Sequence, residues 1–222
     1  LCQATNRLAE AEALMRRALD IDESSFGPDH PAVAVGLDNL AGLLNATGRV
    51  DEAEANCLRA LEIFEAAYGP NHSEVAVCLS NLAGLLVKTD RPEQAESLYY
   101  RVLSIHEVSL GRNHPKVATD LGELVRLLMD ANQFEKAEPL ARRALAINEA
   151  AYGPDHQDVA NDLNNLGGVL YGMKRYAEAE TMARQALRIW ETHYGPDDPK
   201  TILARRNLEK ILKGIGESNS SQ

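Results

Sequence analysis

The six residues FGPDHP at 26–31 form a connector that decides the fold, because the same pattern returns four more times. The later copies read YGPNHS at 68–73, LGRNHP at 110–115, YGPDHQ at 152–157 and YGPDDP at 194–199. Their glycines follow one another at a constant spacing of 42 residues. Glycine can take the left-handed conformation that ends a helix, and a proline at the end of the connector suits the first position of the next helix. The connector therefore predicts an array of helical units with one period of 42 residues.

Each unit between two connectors contains two amphipathic helices. Apolar residues from Val33 to Leu44 recur with the spacing of one helical face, which predicts a helix A over roughly 31–46. The same spacing from Ala53 to Phe64 predicts a helix B over roughly 50–67. The turn Thr47-Gly48-Arg49 between them is short enough to require an antiparallel pair. We therefore predict an all-α fold, a right-handed superhelical solenoid of antiparallel helix pairs, since one pair cannot cover its own apolar faces.

The period also sets the predicted domain organisation, which is one array over residues 1–213. Leu1–Thr5 align with the last turn of a helix A, so we expect the chain to begin inside a repeat. We expect a polar, disordered tail at 214–222. The array divides into a partial repeat at 1–30, full repeats at 31–72, 73–114, 115–156 and 157–198, and a capping helix at 199–213.

The composition limits the classes of function. The 222 residues include 33 acidic and 23 basic side chains, with a net charge of −10, which argues against a nucleic-acid or membrane-surface partner. No apolar run approaches the roughly 20 residues that span a bilayer. The three cysteines are too few for a disulfide framework, which favours a reducing compartment, and we expect a cytoplasmic protein. Cys57 and Cys78 are expected to be small buried apolar residues.

The connector histidines suggest a metal site at first, but the repeat geometry argues against one. Equivalent residues of stacked helices lie about 10 Å apart, whereas zinc ligands lie within about 2.3 Å of one ion. The fifth connector has Asp198, a good helix cap, in place of histidine. We therefore predict a capping role for His30, His72, His114 and His156. Because no acid, base and nucleophile are brought together by the repeat, we predict no enzyme, no metal site and no cofactor.

The apolar and glycine positions resemble a known repeat. The residues that match are Leu37, Leu40-Ala41, Leu44, Gly48, Ala53 and Ala60-Leu61. This pattern resembles the tetratricopeptide repeat (TPR), whose usual unit has about 34 residues. The longer 42-residue unit resembles the TPR domain of kinesin light chains and also bacterial multi-repeat TPR proteins, over nearly the whole chain. The resemblance implies a superhelix in which the A helices line a concave groove that binds protein partners.

Polar residues on the non-core side of helix A are the predicted binding site. At one position the four A helices of the full repeats and the capping helix have Asn39, Asn81, Glu123, Asn165 and Asn207, and Asn164 forms an asparagine doublet with Asn165. An amide offers a donor and an acceptor, which suits a peptide backbone, and the resemblance implies that these asparagines contact one. The alternative is that they bridge neighbouring helices. Gly42, Gly84 and Gly168 follow on the same side and are explained either by ligand approach or by tight packing.

Basic residues give the predicted groove a direction. Residues 1–111 have a net charge of −9 and residues 112–222 a net charge of −1. Arg126, Arg206 and Lys210 could hold an acidic side chain or a C-terminal carboxylate of a ligand. Alternatively, Arg206 and Lys210 keep the terminal helix soluble, and Arg126 pairs with Glu123 one turn earlier.

These observations predict a protein–protein interaction scaffold that binds an extended peptide segment of a partner in its concave groove, for example as a kinesin-light-chain-like cargo adaptor. The alternative is a regulatory or self-associating TPR region of a larger signalling protein, with no independent peptide ligand. The oligomeric state stays open between a monomer and self-association through the terminal repeats.

Overall fold

The computed structural model describes residues 2–220 and the side-chain environments of residues 7–217. This part of the chain contains ten helices and no strand, so the predicted all-α class is confirmed. The odd-numbered helices are the B helices and the even-numbered ones are the A helices. Their bounds are α1 Cys2–Phe26, α2 Pro31–Ala46, α3 Val50–Tyr68, α4 Ser73–Lys88, α5 Pro92–Leu110, α6 Pro115–Asp130, α7 Phe134–Tyr152, α8 Gln157–Gly172, α9 Tyr176–Tyr194 and α10 Pro199–Ser220.

The connectors end one helix and begin the next through local hydrogen bonds. Gly69 has a φ of +85°, and its N–H donates to the carbonyl of Glu65 at 3.0 Å, which ends α3. His72 then caps α4, because its Nδ1 accepts the N–H of Glu74 at 3.3 Å. The predicted capping role is confirmed for all four connector histidines, and Asp198 likewise accepts the N–H of Lys200 at 2.8 Å.

The helices form two compact units, Leu1–Ser109 and Leu110–Gln222. In each unit, fully buried alanines of the B helices, such as Ala60 and Ala179, allow close contact with leucines of the A helices, such as Leu79 and Leu166. Pairs of helices pack as the repeat predicts, α2 on α3, α6 on α7 and α8 on α9. The continuity of one array over residues 1–213 stays a prediction.

Both terminal helices differ from the sequence prediction. The predicted end of a helix A at Thr5 is wrong, because α1 is one helix from Cys2 to Phe26. In later repeats the turn after helix A has a residue with positive φ, such as Gly48 at +81° or Asn132 at +56°.

The C-terminal helix is longer than predicted. α10 continues to Ser220 instead of ending at Lys213, so residues 214–220 are helical and not an unstructured tail. The reason is tertiary, because Ile215 packs on the core of the second unit. Gly214 also lies close to the ring of Tyr176, where an added Cβ would be 3.0 Å from a ring carbon. The last predicted tail residues, 221 and 222, lie outside the described part.

Candidate functional site

The predicted binding residues lie on one side of the A helices. We call this side the groove face and define it as the side that presents Asn39 and its repeat equivalents. On it Asn39, Asn81, Arg126, Arg206 and Lys210 are exposed, whereas Glu123, Asn164, Asn165 and Asn207 are half-buried.

Two of the asparagines bridge neighbouring A helices. Asn81 donates from Nδ2 to the two carboxylate oxygens of Asp38, at 3.0 and 2.9 Å. Asn207 donates from Nδ2 to Oδ1 of Asn164 at 2.9 Å. In both pairs the donor stands 43 residues after the acceptor. Asn81 and Asn207 therefore bridge neighbouring helices, and their amide N–H groups already donate hydrogen bonds.

Asn165 differs from them, because the residue opposite it has no side chain. The position 43 residues earlier is Gly122, and a Cβ added there would lie 3.9 Å from Nδ2 of Asn165. Within the described residues the Asn165 amide makes no hydrogen bond. A half-buried amide with both its donor and its acceptor available is suited to bind a backbone N–H and C=O.

The basic residues of the groove face have different surroundings. Arg126 forms an ion pair with Glu123 one turn earlier in α6, as one of the two interpretations of the sequence predicted. The ammonium group of Lys210 lies 4.8 Å from the ring centroid of Tyr171, which is a cation–π contact. Arg206 is exposed and forms no ion pair with the residues whose side chains are described. Lys210 thus has a specific neighbour on the groove face, in addition to any solubilising effect.

A first cavity of about 520 Å³ lies on the groove face of the second unit. Asn164, Asn165, Asn207 and Lys210 line it, which brings four of the predicted residues together. Its charged lining residues are Lys174 and Lys210, and no carboxylate is among them. The cavity therefore combines amide groups with positive charge in a chain whose net charge is −10.

The apolar wall of the first cavity was missed by the sequence prediction. It consists of Met129, Phe134, Tyr171 and Tyr176. A signal was present, because the first full repeat has Asn45 and Val50 where the fourth has its two tyrosines. Departures of this kind from the repeat consensus, toward large aromatic residues on the groove side, mark the cavity.

A second cavity of about 460 Å³ adjoins the first and shares Asn165 with it. It is lined by Glu123 and Arg126 of α6 and also by Asp162 of α8. Asp162 is only 6% exposed, and its Oδ2 accepts a hydrogen bond from Nδ2 of Asn148 at 2.7 Å.

The environment of Asp162 disfavours its charged form. Burial raises the pKa of this carboxyl to about 7, against the opposing effect of the Asn148 hydrogen bond, and the acidic neighbours Asp158 and Glu149 raise it further. The sequence prediction did not select Asp162. A signal was present in the repeat register, because the equivalent residue of an earlier repeat is Cys78, for which the sequence predicts burial.

The groove-face glycines differ in the space around them. A Cβ added to Gly42 or Gly84 would meet nothing within 4 Å, so helix packing does not account for either residue. At Gly168 an added Cβ would lie 2.6 Å from Cε of Met129, so here a side chain occupies the space. Tight packing therefore explains the glycine at position 168 and neither of the other two.

Cys57, Cys78 and the connector histidines have surroundings that fit structural roles. Cys57 and Cys78 are buried, and the Cys78 thiol donates to the carbonyl of Cys57 at 3.2 Å. Burial raises the pKa of both thiols, that of Cys57 to about 12. Among the described residues no group of three His, Cys, Asp or Glu side chains is arranged to hold a metal ion.

The described helices include none with the length and apolar character needed to cross a membrane.

The chain belongs to the tetratricopeptide repeat family. A tetratricopeptide repeat model matches residues 35–107, 80–150, 118–192 and 162–221, and a second model with the same description matches residues 3–32. The predicted family is therefore confirmed. TPR proteins are generally protein–protein interaction scaffolds and are typically non-enzymatic. No curated protein sequence matches the chain.

Solved structures with the same fold include kinesin-light-chain-like repeats. The chain is 25% identical to BtubC (BKLC) from P. vanneervenii, with a TM-score of 0.79 over 94% of this chain and 84% of that one. It is 20% identical to a putative kinesin light chain from Podosopora anserina with nearly identical TPR-like repeats. The TM-score there is 0.75, over 86% of this chain and 91% of that one. These likenesses confirm the TPR solenoid class.

Proposed function

We propose that this protein is an interaction scaffold that binds an extended peptide segment of a partner protein on the groove face of its second unit. The observation that carries the proposal is the position of Asn165. Its amide makes no hydrogen bond within the described residues and lies where the two cavities adjoin. An extended peptide presents an unpaired N–H and C=O at each residue, so this amide can hold its backbone while neighbouring side chains enter the cavities.

The first cavity gives the peptide its main apolar contact. Its volume of about 520 Å³ falls within the range of roughly 300–1,000 Å³ typical of ligand sites. The ring centroids of Tyr171 and Tyr176 lie 5.5 Å apart, and the two rings offer aromatic surface to an apolar side chain. Lys174 and Lys210 add positive charge at the same place, which favours acidic residues nearby in the ligand.

The cargo-adaptor role is the narrower form of this proposal. It is supported by the likeness to kinesin-light-chain-like repeats and by the position of the groove-face asparagines. A cytoplasmic location belongs to the same proposal, because Cys57 and Cys78 are both free thiols.

Selection from a random decapeptide library on the immobilised 222-residue protein tests the proposal. Selected peptides are titrated against the wild type, Asn165→Ala and the matched control Asn71→Ala, an exposed connector asparagine of the first unit that lines neither cavity. We expect Asn165→Ala to weaken binding about five- to tenfold, as for the loss of one or two hydrogen bonds, and Asn71→Ala to have no effect.

Two results would contradict the proposal. If the library yields no peptide that binds, the protein has no independent peptide ligand, as the self-associating or regulatory alternative requires. If selected peptides bind both alanine variants as tightly as the wild type, the binding site is not at Asn165.

A further inference from the structure

The carboxyl group of Asp162 is buried without a positive partner. It lines the second cavity, is 6% exposed and receives one hydrogen bond, from the neutral amide of Asn148. It forms no ion pair with any residue whose side chain is described. Buried charged groups in proteins are normally paired, because removing a charge from water is costly. Asp162 thus lacks the counter-ion that its burial would require when it is ionised.

The charged groups around the second cavity do not supply this counter-ion. The acidic side chains of Asp158 in α8 and Glu149 in α7 both disfavour a negative charge on Asp162. In α6, Arg126 is paired with Glu123. The remaining titratable groups of the cavity wall are His114, which caps α6, and Lys116 and Tyr152, none of which bonds to Asp162.

At the same position the other A helices α2, α4, α6 and α10 have Gly36, Cys78, Asp120 and Ala204. An aspartate is therefore not needed at this position to form the helix pair. Asp120 is also buried, but it does not line the second cavity. Asp162 differs from it because it lines an open cavity of about 460 Å³, where a ligand can reach its carboxyl group.

We infer that the second cavity is a subsite for a lysine or arginine side chain of the bound peptide, with Asp162 as the counter-ion. This inference rests on the proposed function and adds the chemistry of one ligand position. An ammonium or guanidinium group that enters the cavity gives Asp162 the direct positive partner that it lacks among the described residues, and the ionised form of Asp162 then forms a charge-assisted hydrogen bond with it. Because the two cavities share Asn165, a peptide held there places this cationic residue close to the residue that occupies the first cavity.

A positional library tests the inference directly. Acetylated decapeptide pools are prepared with one central position fixed as lysine, arginine, norleucine, glutamine or glutamate and the other positions randomised. Each pool is passed at about pH 8 over the immobilised wild type, Asp162→Asn and the matched control Asp197→Asn, an exposed connector aspartate. We expect the wild type and the control to retain the lysine and arginine pools at least about tenfold better than the norleucine pool, and Asp162→Asn to lose this preference.

A measurement on the wild type alone gives a second readout that does not depend on how the variant folds. The carboxyl carbon of Asp162 is titrated by NMR with and without the best-retained lysine peptide. We expect the peptide to lower the pKa of Asp162 by at least about one unit, which corresponds to the tenfold preference. Its norleucine analogue should leave the pKa unchanged.

The outcomes separate this inference from the proposed function. Retention of peptides with no preference for lysine or arginine overturns the cationic subsite and leaves the peptide groove standing. A preference that survives in Asp162→Asn, or a lysine peptide that leaves the pKa of Asp162 unchanged, overturns the role of Asp162. If no pool is retained, both the proposed function and the inference fail.

Discussion

Asn81 donates two hydrogen bonds from Nδ2 to the carboxylate of Asp38 and so joins helices α4 and α2 across the groove face of the first unit. The equivalent residue Asn165 makes no such bond, because Gly122 stands opposite it. Residues that look alike in the sequence therefore have different roles, one in stability and one available for binding.

This difference predicts opposite effects of two alanine substitutions. Asn81→Ala should lower the free energy of unfolding by about 1 kcal/mol, the usual net value of such bonds at a partly exposed site, and leave peptide affinity unchanged. Asn165→Ala should lower affinity without lowering stability. Urea denaturation and peptide titration of both variants check this.

Asn39→Ala is the matched control for the stability effect, because Asn39 is exposed and makes no hydrogen bond with the described residues. If Asn81→Ala is as stable as Asn39→Ala, the bridge to Asp38 does not stabilise the fold in solution.

The environment of Asp162 predicts a specific pH dependence of stability. Its pKa is about 7 in the folded state, against 3.8 for an ordinary aspartate, so between these values the folded state holds a proton that the unfolded state has lost. The stability from this group is fully present below about pH 4 and is lost as the pH rises to about 7. Asp162→Asn cannot ionise and should not show this loss.

Melting temperatures of wild type and Asp162→Asn, measured between about pH 5 and pH 8, check the sign. We expect the advantage of the variant over the wild type to grow as the pH rises. The exposed Asp197→Asn variant should show no such trend, and a constant difference between Asp162→Asn and wild type would contradict the prediction.

The contribution of a connector histidine to stability through its helix cap can be measured apart from its ring contact. His72→Ala removes the side-chain acceptor for the N–H of Glu74, which should cost about 1 kcal/mol of stability. His72→Asp should retain most of it, because the fifth connector is capped by Asp198 in the same way. Chemical denaturation of the two variants distinguishes them, and equal stability would mean that the cap is not the reason for the histidine. The contact of His72 with the ring of Tyr68, at 4.5 Å, is lost in both variants and cancels in the comparison.

Cys57 and Cys78 should react very slowly with a thiol-specific disulfide reagent in the native protein. Both thiols are buried, and burial raises their pKa values, so little reactive thiolate is present at neutral pH. In a Cys2→Ser background, fast labelling of two thiols is expected only after addition of denaturant. Fast labelling of the native protein would mean that the α3–α4 packing opens readily.

The sequence by itself determined the elements whose causes are local. The predicted helix over 31–46 is α2, with the bounds Pro31–Ala46, and the connector residues Gly69 and His72 end and begin helices through bonds to residues at most four positions away. A fixed period made these signals repeat, so the helix pairs and the family could be predicted without coordinates.

The tertiary structure decided everything that depends on a neighbour distant in sequence. Whether an asparagine bridges or stays available depends on the residue 43 positions earlier, which is Asp38 in one case and Gly122 in another. The burial of Asp162 and the length of α10 likewise depend on the packing of Asn148 and Ile215. A repeat pattern gives each position the same average environment, whereas its actual environment is set by which side chains the stacked helices bring together.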